Sequence, residues 1–238
     1  LFYTAVRREK RNYRALLQVA SLGGTPRERA FDVDSKVSFS PDGKQLVFWR
    51  RVPDTAESLL VAVDLATWKE RVVATATSAE PFLGAPAWSP DGKRIAGGLL
   101  RPAPNLESTI VLFDPSTGRR ADLAKLPRTI VSSLAWLRDG TGILSSGLDL
   151  KTALTNQVRL HSYPGGHTSR ITNDFNTYDA LSTSLADDTV AAVRTISIRN
   201  VWFADVTGAP ARPITNIANP ENSLLNVAAL DTGTIAYT

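Results

Sequence analysis

A short phrase recurs along this chain at nearly constant spacing. It reads Phe39-Ser40-Pro41-Asp42-Gly43-Lys44, then Trp88-Ser89-Pro90-Asp91-Gly92-Lys93, then Trp136-Leu137-Arg138-Asp139-Gly140. Weaker copies stand at Leu185-Ala186-Asp187-Asp188 and Leu230-Asp231-Thr232-Gly233. Measured on the turn residue, successive copies are 49, 48, 48 and 45 residues apart. A period of this size marks a repeat protein, each unit being one small sheet that cannot bury its apolar faces alone.

The second unit shows why. Lys36–Ser40 alternates in polarity and runs into Pro41-Asp42-Gly43. Proline presets φ for a turn, aspartate bonds to nearby backbone, and glycine supplies the positive φ that closes a hairpin. Gln45–Arg50 reads as the return strand, Leu59–Asp64 as a third and Arg71–Thr75 as a fourth. Four strands of about five residues are of ordinary length. Third strands repeat at Leu16–Ala20, Thr109–Phe113, Val158–Ser162 and Val201–Asp205, each followed by a turn rich in Gly, Pro or Asp. Pro213 cannot donate to a ladder, so its strand belongs at a sheet edge.

In each first strand a small residue (Ser38, Ala87, Ala135, Ser184) precedes a large one (Phe39, Trp88, Trp136, Leu185). The two point to opposite faces. Such pairs suit sheets stacked face to face, so the aromatics are expected to fill the seams between sheets. Repeated four-stranded sheets with short turns predict an all-β fold, a β-propeller of four-stranded antiparallel blades. The repeats fall near 1–31, 35–75, 85–126, 132–173, 181–216 and 225–238 and form one domain over 1–238. The chain opens and closes on the same strand type and has no methionine. It therefore reads as part of a longer polypeptide carrying a ring of about six blades, incomplete or lacking its last strands.

Apolar residues make up 43% of the 238, enough for a packed core. No apolar run approaches the roughly 18 residues of a membrane helix, so no membrane contact is expected from this segment. The net charge of +4 is a mild excess over a large surface. The cluster Arg7-Arg8-Glu9-Lys10-Arg11 reads as a solvated hairpin loop, and no nucleic-acid partner is expected. With no cysteine there is no disulfide framework, thiolate metal site or cysteine nucleophile.

The phrase Ser-Pro-Asp-Gly-Lys with its apolar return strand and Gly-rich later turn resembles the TolB-like propeller repeat, a relative of WD repeats. The resemblance covers nearly the whole chain. Leu22-Gly23-Gly24-Thr25-Pro26-Arg27, Phe31–Ser35, Ala85–Lys93, Leu134-Ala135-Trp136, Tyr163-Pro164-Gly165-Gly166 and Arg170–Asp174 are similar to the C-terminal propeller of bacterial membrane-tethered Ser/Thr kinases. That resemblance implies an extracytoplasmic propeller, tethered through its parent chain, that senses or binds a partner. Prolyl oligopeptidase-type peptidases carry similar propellers, and a free TolB-like periplasmic scaffold is a third possibility. The pattern departs at Asp188, where glycine is expected.

Catalysis finds no support in this segment. A serine hydrolase needs a G-x-S-x-G elbow with Asp and His partners, and none occurs. The two histidines, His161 and His167, read as structural or exposed and do not make a metal site. Asp42, Asp91, Asp139 and Asp187 repeat at equivalent turn positions, which argues for turn formation rather than acid–base chemistry. Asp32 and Asp34 lack the oxygen-rich loop of a calcium site, and no phosphate loop is present. No cofactor or metal is expected. Binding remains. Alternating strand direction puts the stereotyped turns at one end of the disc and the irregular connections at the other, where a protein or small ligand should dock. The candidate contacts at that end are Phe82, Arg101, Asn105, Arg128, Phe175, Tyr178 and Asn219, since aromatic and arginine side chains anchor interfaces.

Overall fold

The structure is a computed structural model. It describes residues 1–7, 13–150, 153–174, 176–184, 189–196, 200–203, 210–215, 227–229 and 235–237. Every described strand pairs antiparallel with its sequence neighbour. Blade 1 holds β1 (Phe2–Arg7), β2 (Tyr13–Gln18) and β3 (Arg27–Ala30). Blade 2 holds β4 (Ser38–Phe39), β5 (Gln45–Arg51), β6 (Ser58–Asp64) and β7 (Glu70–Ala76). Blade 3 holds β8 (Phe82–Trp88), β9 (Ile95–Arg101), β10 (Glu107–Phe113) and β11 (Arg120–Pro127). Blade 4 holds β12 (Thr129–Trp136), β13 (Gly142–Asp149), β14 (Ala153–Ser162) and β15 (Thr168–Arg170). Strands β16 (Thr177–Thr183) and β17 (Val190–Thr195), β18 (Trp202–Phe203) and β19 (Arg212–Pro213), and β20 (Val227–Ala229) and β21 (Ile235–Tyr237) then pair two by two.

The blades are antiparallel as expected, but among the described residues there are four of them, three four-stranded and the first three-stranded, not about six. Taking each of the six repeats as a blade overstated the number. A phrase specifies one hairpin, whereas a blade needs two further strands and a neighbour on each face. Past blade 4 every residue of β17 is exposed, β18 and β19 are two residues each, and Pro213 has no N–H to give. The weak phrase at 185–188 and the aspartate at 188 lie outside the described residues.

The turn phrase works as its chemistry dictates. The Gly43 N–H donates to the Ser40 carbonyl at 2.9 Å with φ at 68°, and Gly92 and Gly140 repeat this. Asp42 accepts from the Ser40 hydroxyl at 2.6 Å and the Lys44 N–H at 3.1 Å. Those bonds, the Ser40 hydroxyl's first, hold its carboxyl below the usual range. Where leucine replaces that serine at 137, Asp139 turns to Thr141, accepting from its N–H at 2.9 Å and its hydroxyl at 2.8 Å. The aspartates are therefore committed to their own turns.

The core lies in the seams between blades. Leu16, Phe48 and Val61 pack between blades 1 and 2. Trp49, Leu60 and Phe113 pack between blades 2 and 3, and Ile110, Trp136 and Ile143 between blades 3 and 4. Adjacent residues of β6, Leu60 and Val61, thus serve opposite seams, as period-two side-chain alternation requires. Each such buried side chain contributes about 1.5–3 kcal/mol relative to exposure. Trp136 fills its seam as expected, at 4% exposure, but Phe39 remains 40% exposed.

A second device locks the outer rim. The outer strands of blades 1, 2 and 3 each carry a bulge, leaving Arg29, Val73 and Leu123 out of the paired register. The Val73 carbonyl reaches so close to Gly118 of the next blade that a Cβ there would stand 2.2 Å from it. The Leu123 carbonyl meets Gly166 in the same way. In blade 2 the equivalent turn position is Trp68, at φ 58°. There the bulge residue Arg29 lays its guanidinium over the indole at 4.6 Å instead.

Candidate functional site

Two surfaces merit consideration, the axial groove and the end carrying the blade-to-blade connections. The groove is a cleft of about 330 Å³ walled by the innermost strands β4, β8, β12 and β16, with Phe39 and Trp88 on its surface. Its wall is stitched across the seams. The Trp88 N–H donates to the Ser38 hydroxyl at 2.9 Å and the Leu181 N–H to the Ser133 hydroxyl at 3.1 Å. The Trp136 indole donates to the Ala87 carbonyl at 3.1 Å.

At the connection end the strands run further than irregular connections would suggest. β9 extends to Arg101 and β10 starts at Glu107, while β13 extends to Asp149 and β14 starts at Ala153. The reason is burial. Leu99, Ser108 and Gln157 sit in seams, and ladder bonds there satisfy backbone groups that water cannot reach. A cleft of about 590 Å³ opens at this end between blades 3 and 4. Pro104, Leu106, Pro127 and Leu150 supply apolar walls, and Asn105 and Arg128 supply polar groups. Arg128 is the one residue linking β11 to β12 and takes φ 55° to make the reversal. Its N–H donates to the Leu106 carbonyl at 2.7 Å and its carbonyl accepts from the Leu150 N–H at 2.9 Å. Among the described residues its guanidinium donates only to the Leu150 carbonyl, at 3.4 Å, and it is exposed. A non-glycine residue held in this conformation costs about 1–3 kcal/mol, and such residues cluster at functional positions.

The candidate contacts separate accordingly. Asn105 and Arg128 share the cleft. Arg101 ends β9 and pairs with Glu80 at 3.0 Å and Glu107 at 3.8 Å. Tyr178 lies in β16 and donates its hydroxyl to Asp174 at 2.7 Å, which raises its pKa. Phe82 is a core residue, stacked on Trp49 at 4.0 Å and edge-on to Phe113. Phe175 and Asn219 lie outside the described residues.

Sequence reasoning missed the serines that open the third strands. The buried Ser58 hydroxyl accepts from the Phe82 N–H at 2.9 Å. Ser108 donates to the Thr129 carbonyl at 2.8 Å and accepts from the Val131 N–H at 3.3 Å. Each guides the next blade's first strand across the seam. The signal was present as Glu57-Ser58 and Glu107-Ser108, one repeat apart. In blade 4 the longer Gln157 does similar work, donating to the Asp174 and Asn176 carbonyls at 3.0 and 2.9 Å.

Blade 4 also buries a polar column facing blade 3. His161 sits between the Ser145 and Thr168 hydroxyls, each at 2.8 Å. Burial, followed by the Arg159 charge, pulls its pKa down to about 4. Asp149 accepts from Arg159 at 2.7 Å and Arg170 at 2.8 Å. Among the described residues no group of three or more His, Asp or Glu could hold a metal ion. Asp34 instead accepts the Arg51 N–H at 2.8 Å.

No protein-family model and no curated protein matches the chain. Solved structures do. TolB from Acinetobacter baumannii is 18% identical with a TM-score of 0.62, over 89% of this chain and 51% of its own. A TolB described as putative, from Agrobacterium tumefaciens, is 16% identical with a TM-score of 0.60, over 85% and 76%. The Pyrococcus horikoshii acylaminoacyl peptidase is 15% identical with a TM-score of 0.52, over 76% and 32%. The fold is thus a TolB-like β-propeller. The chain spans about half the length of the Acinetobacter structure.

Proposed function

We propose that this segment is a non-catalytic protein-interaction propeller whose partner meets the connection end. The observation that carries the reading is the meeting of Asn105 and Arg128, distant in sequence, in one cleft with apolar walls and an exposed guanidinium. An arginine beside apolar surface is the usual form of an interface anchor. The opposite end offers less, since its aspartates are bonded within their own turns. Arg101 and Tyr178 extend the surface, while Phe82 braces it from behind. The likeness to TolB-like propellers supports an extracytoplasmic location. The resemblance to kinase-linked propellers supports a sensor role on a bacterial signalling protein. A second reading, the accessory propeller of a serine peptidase, is favoured by the likeness to the Pyrococcus peptidase. A hydrolase domain in the same coding sequence would select it.

The test places a photoreactive side chain at Asn105 or Arg128, and in parallel at Lys44 or Lys93 on the turn end, in the full parent protein. Crosslinks to a partner confined to the first pair are expected. Crosslinks arising from the turn end alone would refute the reading.

A further inference from the structure

The cleft between blades 3 and 4 is lined by one acid, Glu107, and one base, Arg128. The two are not paired with each other. Arg101 takes Glu107 at 3.8 Å and Glu80 at 3.0 Å. Arg128 meets no carboxylate among the described residues. A guanidinium presents five N–H donors in a planar fork, and only the long bond to the Leu150 carbonyl uses one of them. The side-chain amide of Asn105, on the 102–106 connection, has no hydrogen-bond partner among the described residues. The backbone of the cleft, by contrast, is already used. Arg128 gives its N–H to Leu106 at 2.7 Å and takes that of Leu150 at 2.9 Å. Those two bonds fix the base of the arginine, so the fork is offered from a rigid support and needs little ordering to bind.

We propose that this cleft reads an acidic side chain. An aspartate or glutamate of the partner sets its carboxylate on the Arg128 fork and the Asn105 amide, and an apolar residue beside it covers Pro104, Leu106 and Leu150. The inference rests on the reading of the connection end as the partner surface and names the chemistry that surface selects. A guanidinium meets a carboxylate through parallel charge-assisted hydrogen bonds, which are stronger than neutral ones. One positive charge beside a neutral amide balances one carboxylate. A phosphate group, with a charge of about −1.5 to −2, would be left under-neutralised. A chain-terminal carboxylate is captured by backbone N–H groups, and those of Arg128 and Leu150 are bonded within the fold. The apolar neighbour follows from the walls, which gain by removal from water.

The test uses the full chain and, as probes, the end-blocked pentapeptides Ser-Leu-Glu-Leu-Ser and Ser-Leu-Gln-Leu-Ser, titrated by NMR with the backbone amides of Asn105, Arg128 and Leu150 as reporters. The glutamate probe should bind at least about tenfold more tightly than the glutamine probe. A glutamate probe with serine in place of both leucines should bind about tenfold more weakly. Arg128→Gly suits the φ of 55° and should bring the glutamate and glutamine probes to equal affinity. Arg128→Lys keeps the charge without the fork and should restore only part of the difference. Equal affinity of the two probes for the unaltered chain would overturn the proposal, as would an absence of shifts at the reporters with either. Tighter binding of a phosphoserine probe, or of a glutamine probe with a free terminal carboxylate, would overturn it in favour of a phosphate or a chain terminus. The crosslinking test fails separately. Crosslinks at Asn105 or Arg128 without a preference for glutamate would keep the connection end as the partner surface and remove its acidic selectivity. Crosslinks from the turn end alone, with that preference intact, would keep the carboxylate site and move the partner elsewhere.

Discussion

Gly118→Ala tests the rim lock directly. Gly118 sits at φ 71°, and its N–H donates to the Asp114 carbonyl at 2.9 Å. Alanine in the left-handed region costs about 1–2 kcal/mol by itself. The added Cβ would also stand 2.2 Å from the Val73 carbonyl oxygen. Restoring an ordinary contact requires the bulge of β7 to retreat by roughly 1 Å. That movement opens the seam holding Trp49, Phe82 and Val73, and overpacking of this kind costs about 1–3 kcal/mol. The two effects sum to about 2–5 kcal/mol. At about 2–4 °C per kcal/mol for a chain of this size, Tm should fall by about 4–20 °C. Gly43→Ala is the control, because Gly43 has a similar φ of 68° but nothing within 4 Å of the new Cβ. It should lose only the conformational part, about 2–8 °C on the same scale. Thermal unfolding by circular dichroism reads both. Equal losses in the two variants would show that the bulge-to-glycine contact does not hold the blades together.

Three further outcomes are expected. His161 has a folded pKa of about 4 against about 6.5 unfolded. Unfolding therefore takes up a proton between these values, and stability is complete above about pH 6.5 and declines as pH falls towards 4. The loss is on the order of 3 kcal/mol, and urea titrations should show this slope flattened in His161→Gln. Asp149→Asn removes the carboxylate shared by Arg159 and Arg170 and should cost about 3–5 kcal/mol by the same measurement, because a buried charge loses its partner. Phe82→Ala should lower the unfolding free energy by about 3–5 kcal/mol, as its stack on Trp49 requires. A loss of partner affinity with unchanged stability would instead make Phe82 a contact.

The hairpins were legible because their chemistry is local. Ser40, Asp42 and Gly43 bond within a few residues of one another, so the phrase alone dictates the turn. The alternation of Leu60 and Val61 between seams follows from strand geometry and needs no further information. The candidate site was legible only in part. Arginine and asparagine could be flagged by type, but burial cannot be read from a short connection. Phe82 reads from sequence as a contact at the connection end, because a buried strand and an apolar loop look alike before the neighbouring blade supplies Trp49. The serines at 58 and 108 bond to the following blade, a relation that residue spacing hints at and does not reveal.

By itself the sequence determined the repeat, the strand order within a blade and the turn geometry, since these depend on interactions between near neighbours along the chain. Tertiary structure decided how many sheets count as blades, which aromatic is buried and which lies open, and where Asn105 meets Arg128. Each of those depends on what another blade brings to a shared seam. Phe39 and Trp136 occupy the same place in the phrase, yet one is exposed and the other is buried against the inner strand of the preceding blade, bonded to Ala87.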